Sequence, residues 1–198
     1  MKYFYKAVMA VLSLAVFPVF FFLPLIRLKF SGNLAKMINN VLKEPLPNNL
    51  SVAKIIDVVN KLKAEYPTIG SAKIWENEKL APIKTYLIIF IILLAVALIL
   101  ALLIFIFAVF TKKRLPVTMF SILGLVCSLS LNPVFEATAK PFMTGKISLG
   151  SLIGISLANL LGSVSYLALS AVYFIFILLF GVMTVFNIAL KIAEYYSN

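Results

Sequence analysis

Three long, predominantly apolar runs constrain what this chain can fold into: Ala7–Ile26, Ile83–Phe110 and Val164–Leu190. A helix that crosses a bilayer needs about 20 such residues, and each run reaches that length. Continuous runs of this kind also differ from the alternating pattern of a transmembrane barrel strand. The sequence therefore predicts an all-α integral membrane protein.

A fourth, weaker span is predicted from Pro116 to Phe135. Its small and polar residues recur at intervals of three and four, so they share one helical face. Two interpretations fit such a face: close packing against a neighbouring helix, or the wall of a polar pathway. The face consists of Ser121, Gly124, Ser128 and Asn132.

The region 147–190 contains no charged residue and is slightly short for two spans with a turn. We expect a half-span or surface helix over Ile147–Leu161, followed by the last span from Val164. The alternative is five spans with the C-terminus outside. Small residues at every fourth position predict a close helix seam, either within the bundle or with another protein. They are Gly150, Gly154, Ala158 and Gly162.

The polar segment 27–83 is predicted to be a small helical module outside the membrane. Two stretches within it repeat apolar residues at helical spacing. The first stretch contains Leu34, Met37, Ile38, Val41 and Leu42, and the second presents an outer amphipathic face of Val52, Ile55, Ile56, Val59 and Leu62. Asn49 or Ser51 can cap the second helix.

Orientation follows from a compact cationic turn between the second and third spans, formed by Lys112, Lys113 and Arg114. Such turns are retained in the cytoplasm, so both termini are predicted to be cytoplasmic, in a plasma or inner membrane. Tyr3 and Tyr5 are predicted to anchor the N-terminal end at the interface. The predicted order is span 1 (1–26), outer helical segment (27–83), span 2 (84–110), basic loop (111–115), span 3 (116–135), outer loop and half-span (136–163), and span 4 with a tail (164–198).

Residue types limit the chemistry. The chain has no histidine, a single aspartate, Asp57, and a single cysteine, Cys127. No set of acid–base, nucleophilic or metal-ligating partners is visible, so we predict no enzyme activity, no metal and no cofactor. The net charge of +11 is explained by attraction to anionic lipid headgroups, and nucleic acid is not an expected partner.

Two functions remain open from the sequence. The first is a noncatalytic subunit, assembly factor or scaffold of a membrane complex, with the bilayer and another membrane protein or a second copy as partners. The second is a small transporter or channel component that moves a small solute, ion or lipid. Transport usually requires ionisable residues at mid-membrane, and the clearly assigned spans contain none. The first function is therefore the favoured prediction.

Overall fold

The computed structural model describes residues 2–30, 47–65, 81–111, 114–144 and 164–197, together with residues 36, 39, 40, 43 and 45. Within these residues the fold is mostly helical. The helices are α1 (Lys2–Phe22), α2 (Val52–Glu65), α3 (Ala81–Phe110), α4 (Leu115–Met143) and α5 (Ala171–Ser197). The strands are β1 (Pro24–Phe30), β2 (Asn49–Ser51) and β3 (Val164–Leu169).

Four of these helices, α1, α3, α4 and α5, are long and apolar enough to cross a membrane. Their length and composition agree with the predicted four spans. The predicted half-span at 147–161, on which the five-span alternative depends, lies outside the described residues.

The chain divides into two compact units, and the first of them is helical. It comprises Met1–Phe21, Phe90–Asn132 and Val172–Asn198. Each helix in this unit contacts two others. The contacts are Phe20 with Phe176 (α1 and α5), Phe107 with Phe120 (α3 and α4), the packing of Gly124 on Phe180 (α4 and α5), and a hydrogen bond from Lys6 to Val109 (α1 and α3). The four helices therefore close into a bundle.

The core of the helical unit is filled by large apolar side chains from all four helices. Burying each of them contributes about 1.5–3 kcal/mol relative to exposure to water, although lipid-facing surface gains no such term. Those without measurable exposure are Met9, Val16, Ile104, Val117, Val172, Phe176, Phe180 and Met183.

The second unit, Phe22–Ile89 with Pro133–Ala171, contains a three-stranded antiparallel sheet in the order β2-β1-β3. This sheet was not expected from the sequence, whose apolar and amphipathic patterns predicted helices here. The register pairs Leu28 of β1 with Leu167 of β3, and Ile26 with both Leu50 and Leu169. Because side chains alternate along a strand, these leucines and Ile26 share one face of the sheet. Leu50 and Leu169 are buried there.

The first span ends earlier than predicted, at Phe22 rather than Ile26. Pro24 explains the difference, since it disfavours the helical region for the residue before it and is tolerated at the first position of a strand. The alternation of apolar and basic residues that follows then forms β1. Arg27–Phe30, the start of the predicted helical segment, is therefore strand.

The last span starts later than predicted, because Val164–Leu169 is strand β3 and α5 begins at Ala171. Backbone groups of this segment form hydrogen bonds with the backbone of β1. The ladder continues beyond β3 to the Ser170 N–H, which donates to the Leu25 carbonyl at 2.9 Å. A short apolar run fits a buried strand as well as a helix, so the sequence alone favoured the wrong element here.

The third span is longer than predicted. α4 continues past Phe135 to Met143, so most of the predicted outer loop at 136–146 is helical. Pro133 and Pro141 lie inside the helix. Thr138 and Ala139 are buried, and the Thr138 hydroxyl donates to the Val134 carbonyl at 3.0 Å, so packing sustains the helix through these positions.

Helix α2 covers the second amphipathic stretch. Its first turn is capped by Ser51, whose Oγ accepts a hydrogen bond of 3.2 Å from the Lys54 N–H, as the sequence predicted. The structure describes too few residues of the first amphipathic stretch to test the helix predicted there.

Candidate functional site

The predicted polar face of α4 lies largely inside the helical unit. Ser121 and Ser128 have no exposed surface, Gly124 is buried, and Asn132 is half-buried. Each serine hydroxyl donates 2.8 Å to a carbonyl of its own helix, Ser121 to Val117 and Ser128 to Gly124. Such bonds satisfy a buried hydroxyl locally. These two hydroxyls are therefore engaged without water or a solute.

Gly124 brings α4 directly against α5. A Cβ atom at this position would overlap the ring of Phe180, with the ring Cζ only 2.9 Å away. Phe180 has no exposed surface, so its ring is enclosed by neighbouring side chains. By contrast, a Cβ at Gly181 would meet Leu125 at 4.0 Å, an ordinary van der Waals distance. The α4–α5 contact, which we call the α4–α5 seam, thus depends on the missing side chain at Gly124.

A buried polar network joins α1 to α5. The Tyr5 hydroxyl donates to Asn187 Oδ1 at 2.7 Å. The Asn187 amide nitrogen donates to the Met183 carbonyl at 2.7 Å and to Met9 Sδ at 3.5 Å. Tyr5 is only 5% exposed, so it packs inside the unit instead of serving as the predicted interfacial anchor. Its partner lies 182 residues away, and no local pattern could have revealed the pair.

Basic residues close one end of the helical unit. The Arg114 guanidinium lies over the Tyr5 ring, 4.7 Å from its centroid, a cation–π arrangement. Lys6 Nζ donates 2.7 Å to the Val109 carbonyl in the last turn of α3, where a cation complements the helix dipole. Arg114 therefore stabilises this end in addition to its predicted topological role. The side chains of Lys112 and Lys113 lie outside the described part of the chain.

In the second unit, β3 forms one edge of the sheet among the described residues. Alternate residues of an antiparallel strand direct their N–H groups toward the same neighbour. Because the Ser170 N–H points to β1, the N–H of Ala168 also does, whereas that of Leu167 points away. The strand carries no charge and no proline, the devices that usually protect an edge. Its Leu167 donor is thus directed toward the side of the sheet where the described residues place no further strand.

The apolar residues of α2 fall into two sets. Ile55 and Val58 are half-buried, whereas Ile56 is 52% and Val59 is 41% exposed. Val52 is half-buried, and the side chain of Leu62 is not described. The outer amphipathic face is therefore packed on one side and uncovered on the other.

Asp57 lies on the polar side of α2 between two lysines. Its Oδ2 is 3.4 Å from Lys54 Nζ and 3.3 Å from Lys61 Nζ. Desolvation raises the pKa of this carboxyl, but the hydrogen bonds and charges of Lys61 and Lys54 outweigh it and lower the pKa overall. The single aspartate of the chain is thus held ionised in a surface ion pair.

The small-residue stripe predicted at Gly150, Gly154, Ala158 and Gly162 lies outside the described residues. No protein-family model, no curated protein and no solved structure matches this chain.

Proposed function

We propose that this chain is a noncatalytic multi-pass subunit or scaffold of a membrane protein complex. The complex lies in a plasma or inner membrane, and both termini of the chain face the cytoplasm. Its partner is another membrane protein or a second copy of the chain. The observation that carries the proposal is the α4–α5 seam. The same polar face was open to two interpretations, and its contacts favour packing.

The α4–α5 seam distinguishes helix packing from a solute pathway, because a pathway needs polar groups that are free to face water or the solute. Ser121 and Ser128 instead donate to their own helix, and the space between them is closed by the contact of Gly124 with Phe180. A tightly packed bundle of this kind suits a structural role, in which the transmembrane helices hold other elements in place.

The edge of β3 offers a place for a protein partner. An extended segment can add to an exposed edge through main-chain hydrogen bonds, and the outward N–H of Leu167 is a suitable donor. Leu167→Pro removes this donor and leaves the bonds from Ala168 and Ser170 to β1. Leu167→Ala is the matched control, because it also removes the leucine side chain but keeps the N–H group.

The test is affinity purification of the tagged full chain from its native membrane in a mild detergent, followed by quantitative mass spectrometry. The proposal expects one or more chains in constant ratio with the wild type and with Leu167→Ala, and a loss with Leu167→Pro. Absence of any associated chain and of self-association in the wild type would contradict the subunit function. Retention of the partner by Leu167→Pro would place the interface elsewhere.

Transport of a small solute, ion or lipid is the second candidate, and one observation favours it. The Thr184 Oγ1 atom is buried within α5 and has no hydrogen-bond partner among the described residues. An unsatisfied buried hydroxyl is costly unless it binds something. If this function is correct, vesicles that contain the purified chain and are loaded with potassium ions should release these ions. The Thr184→Val variant should slow the release.

A further inference from the structure

The uncovered side of α2 defines a narrow apolar strip, which we call the α2 strip: Val52, Ile56 and Val59. These residues stand three or four positions apart, so they align along one side of the helix. Val52 is half-buried, and the other two are about half exposed. The packed residues Ile55 and Val58 lie beside the strip and already provide contacts for α2. The strip is therefore additional to what holds the helix in its unit.

The position of α2 in the chain restricts what can cover the strip. α1 precedes this segment and α3 follows it, and both are candidate membrane spans. A segment that leaves the membrane and re-enters it is tethered to the bilayer at both ends. Lipid is thus close to this segment without recruitment, whereas a soluble partner would have to be recruited.

Charge points to the same occupant. The segment 27–84 carries ten lysine and arginine residues against five acidic ones. The sequence of α2 contains three lysines, Lys54, Lys61 and Lys63, against Asp57 and Glu65, an excess of one positive charge. A helix with an apolar strip and a basic polar side is the kind that lies in the membrane interface, where anionic headgroups attract its positive charge.

From these observations we infer that α2 is an interfacial helix whose strip of Val52, Ile56 and Val59 inserts into the lipid surface. Its polar side, on which Asp57 lies between Lys54 and Lys61, faces water. This inference concerns lipid and does not depend on the proposed protein partner.

The experiment uses the full chain with Cys127 replaced by serine and a nitroxide label on a single introduced cysteine. The labelled positions are Val59→Cys in the strip and Ala64→Cys as the matched control. Ala64 is also exposed on α2, and five residues of helix place it about 140° around the axis from Val59. The labelled chain is reconstituted in vesicles of phosphatidylcholine and phosphatidylglycerol without any other protein.

Collision of the label with oxygen, which concentrates in lipid, is compared with collision with a water-soluble nickel chelate. The inference expects the label at position 59 to lie about 5–10 Å below the headgroups and the label at 64 to lie in water. Ile56→Cys, as a second reporter, should behave like position 59. Equal access of the nickel chelate to positions 59 and 64 would overturn the inference. Shielding of position 59 from both reagents would also overturn it, because protein would then cover the strip.

Discussion

Replacement of Gly124 by alanine tests the α4–α5 seam. The new methyl group would overlap the Phe180 ring, which is fully buried and cannot swing into open space. Overpacking of this kind costs about 1–3 kcal/mol. Alanine also favours the helix over glycine by about 1 kcal/mol, so the two effects partly cancel. We expect Gly124→Ala to be destabilised by up to about 2 kcal/mol relative to the wild type.

Gly181→Ala separates the two effects. It lies on the opposite side of the same helix contact, gains the same helix propensity, and its new Cβ meets Leu125 at an ordinary 4.0 Å. This variant should be unchanged or up to about 1 kcal/mol more stable. The difference between the two variants isolates overpacking, about 1–3 kcal/mol.

Equilibrium unfolding in mixed micelles, followed by circular dichroism, measures both free energies of unfolding. Adding Phe180→Leu to Gly124→Ala should recover part of the loss, because the residues are in contact and their effects are coupled. If Gly124→Ala and Gly181→Ala unfold with equal free energies, the helices do not approach each other as closely as described. The argument that this face is a packing seam would then fail.

Three further predictions concern other parts of the chain. Tyr5→Phe leaves the buried Asn187 Oδ1 without its donor and should lower the free energy of unfolding by about 0.5–2 kcal/mol in the same micelle assay; no change would mean that the bond is not formed. In intact cells, with the native cysteine replaced by serine, an impermeant maleimide should label Asn60→Cys and spare Tyr196→Cys, and the reverse pattern would invert the proposed orientation. Because the folded pKa of Asp57 is lowered, the stabilisation of α2 by this carboxylate is full above the ordinary value of 3.8 and is lost as the pH falls through the folded pKa; the protection factors of the α2 amides, that is, exchange relative to the intrinsic rate at each pH, should therefore fall there in the wild type and not in Asp57→Asn.

Features that depend on residues close together in the sequence were predictable. The spans follow from unbroken apolar length, and the cap of α2 follows from the position of Ser51 one residue before the helix. The polar face of α4 follows from helical spacing, but whether it packs or lines a pathway depends on Phe180, which is contributed by another helix.

Features set by distant residues were not predictable. Strand β3 lies in an apolar run that also fits a transmembrane helix, and what makes it a strand is its pairing with β1, which includes Leu28 opposite Leu167. The bond between Tyr5 and Asn187 likewise depends on two helices at opposite ends of the chain. In both cases the deciding contact is tertiary, so local hydropathy carried no signal for it.

The most direct test of the subunit function is the mass of the intact particle. Native mass spectrometry of the tagged full chain, released from lipid nanodiscs prepared from its own membrane, gives the number and identity of the associated chains. The account predicts a discrete particle that contains this chain with another membrane protein, or with further copies of itself, in fixed ratio. A particle that contains only one copy of this 21.9-kDa chain, with its tag and lipid, would contradict it.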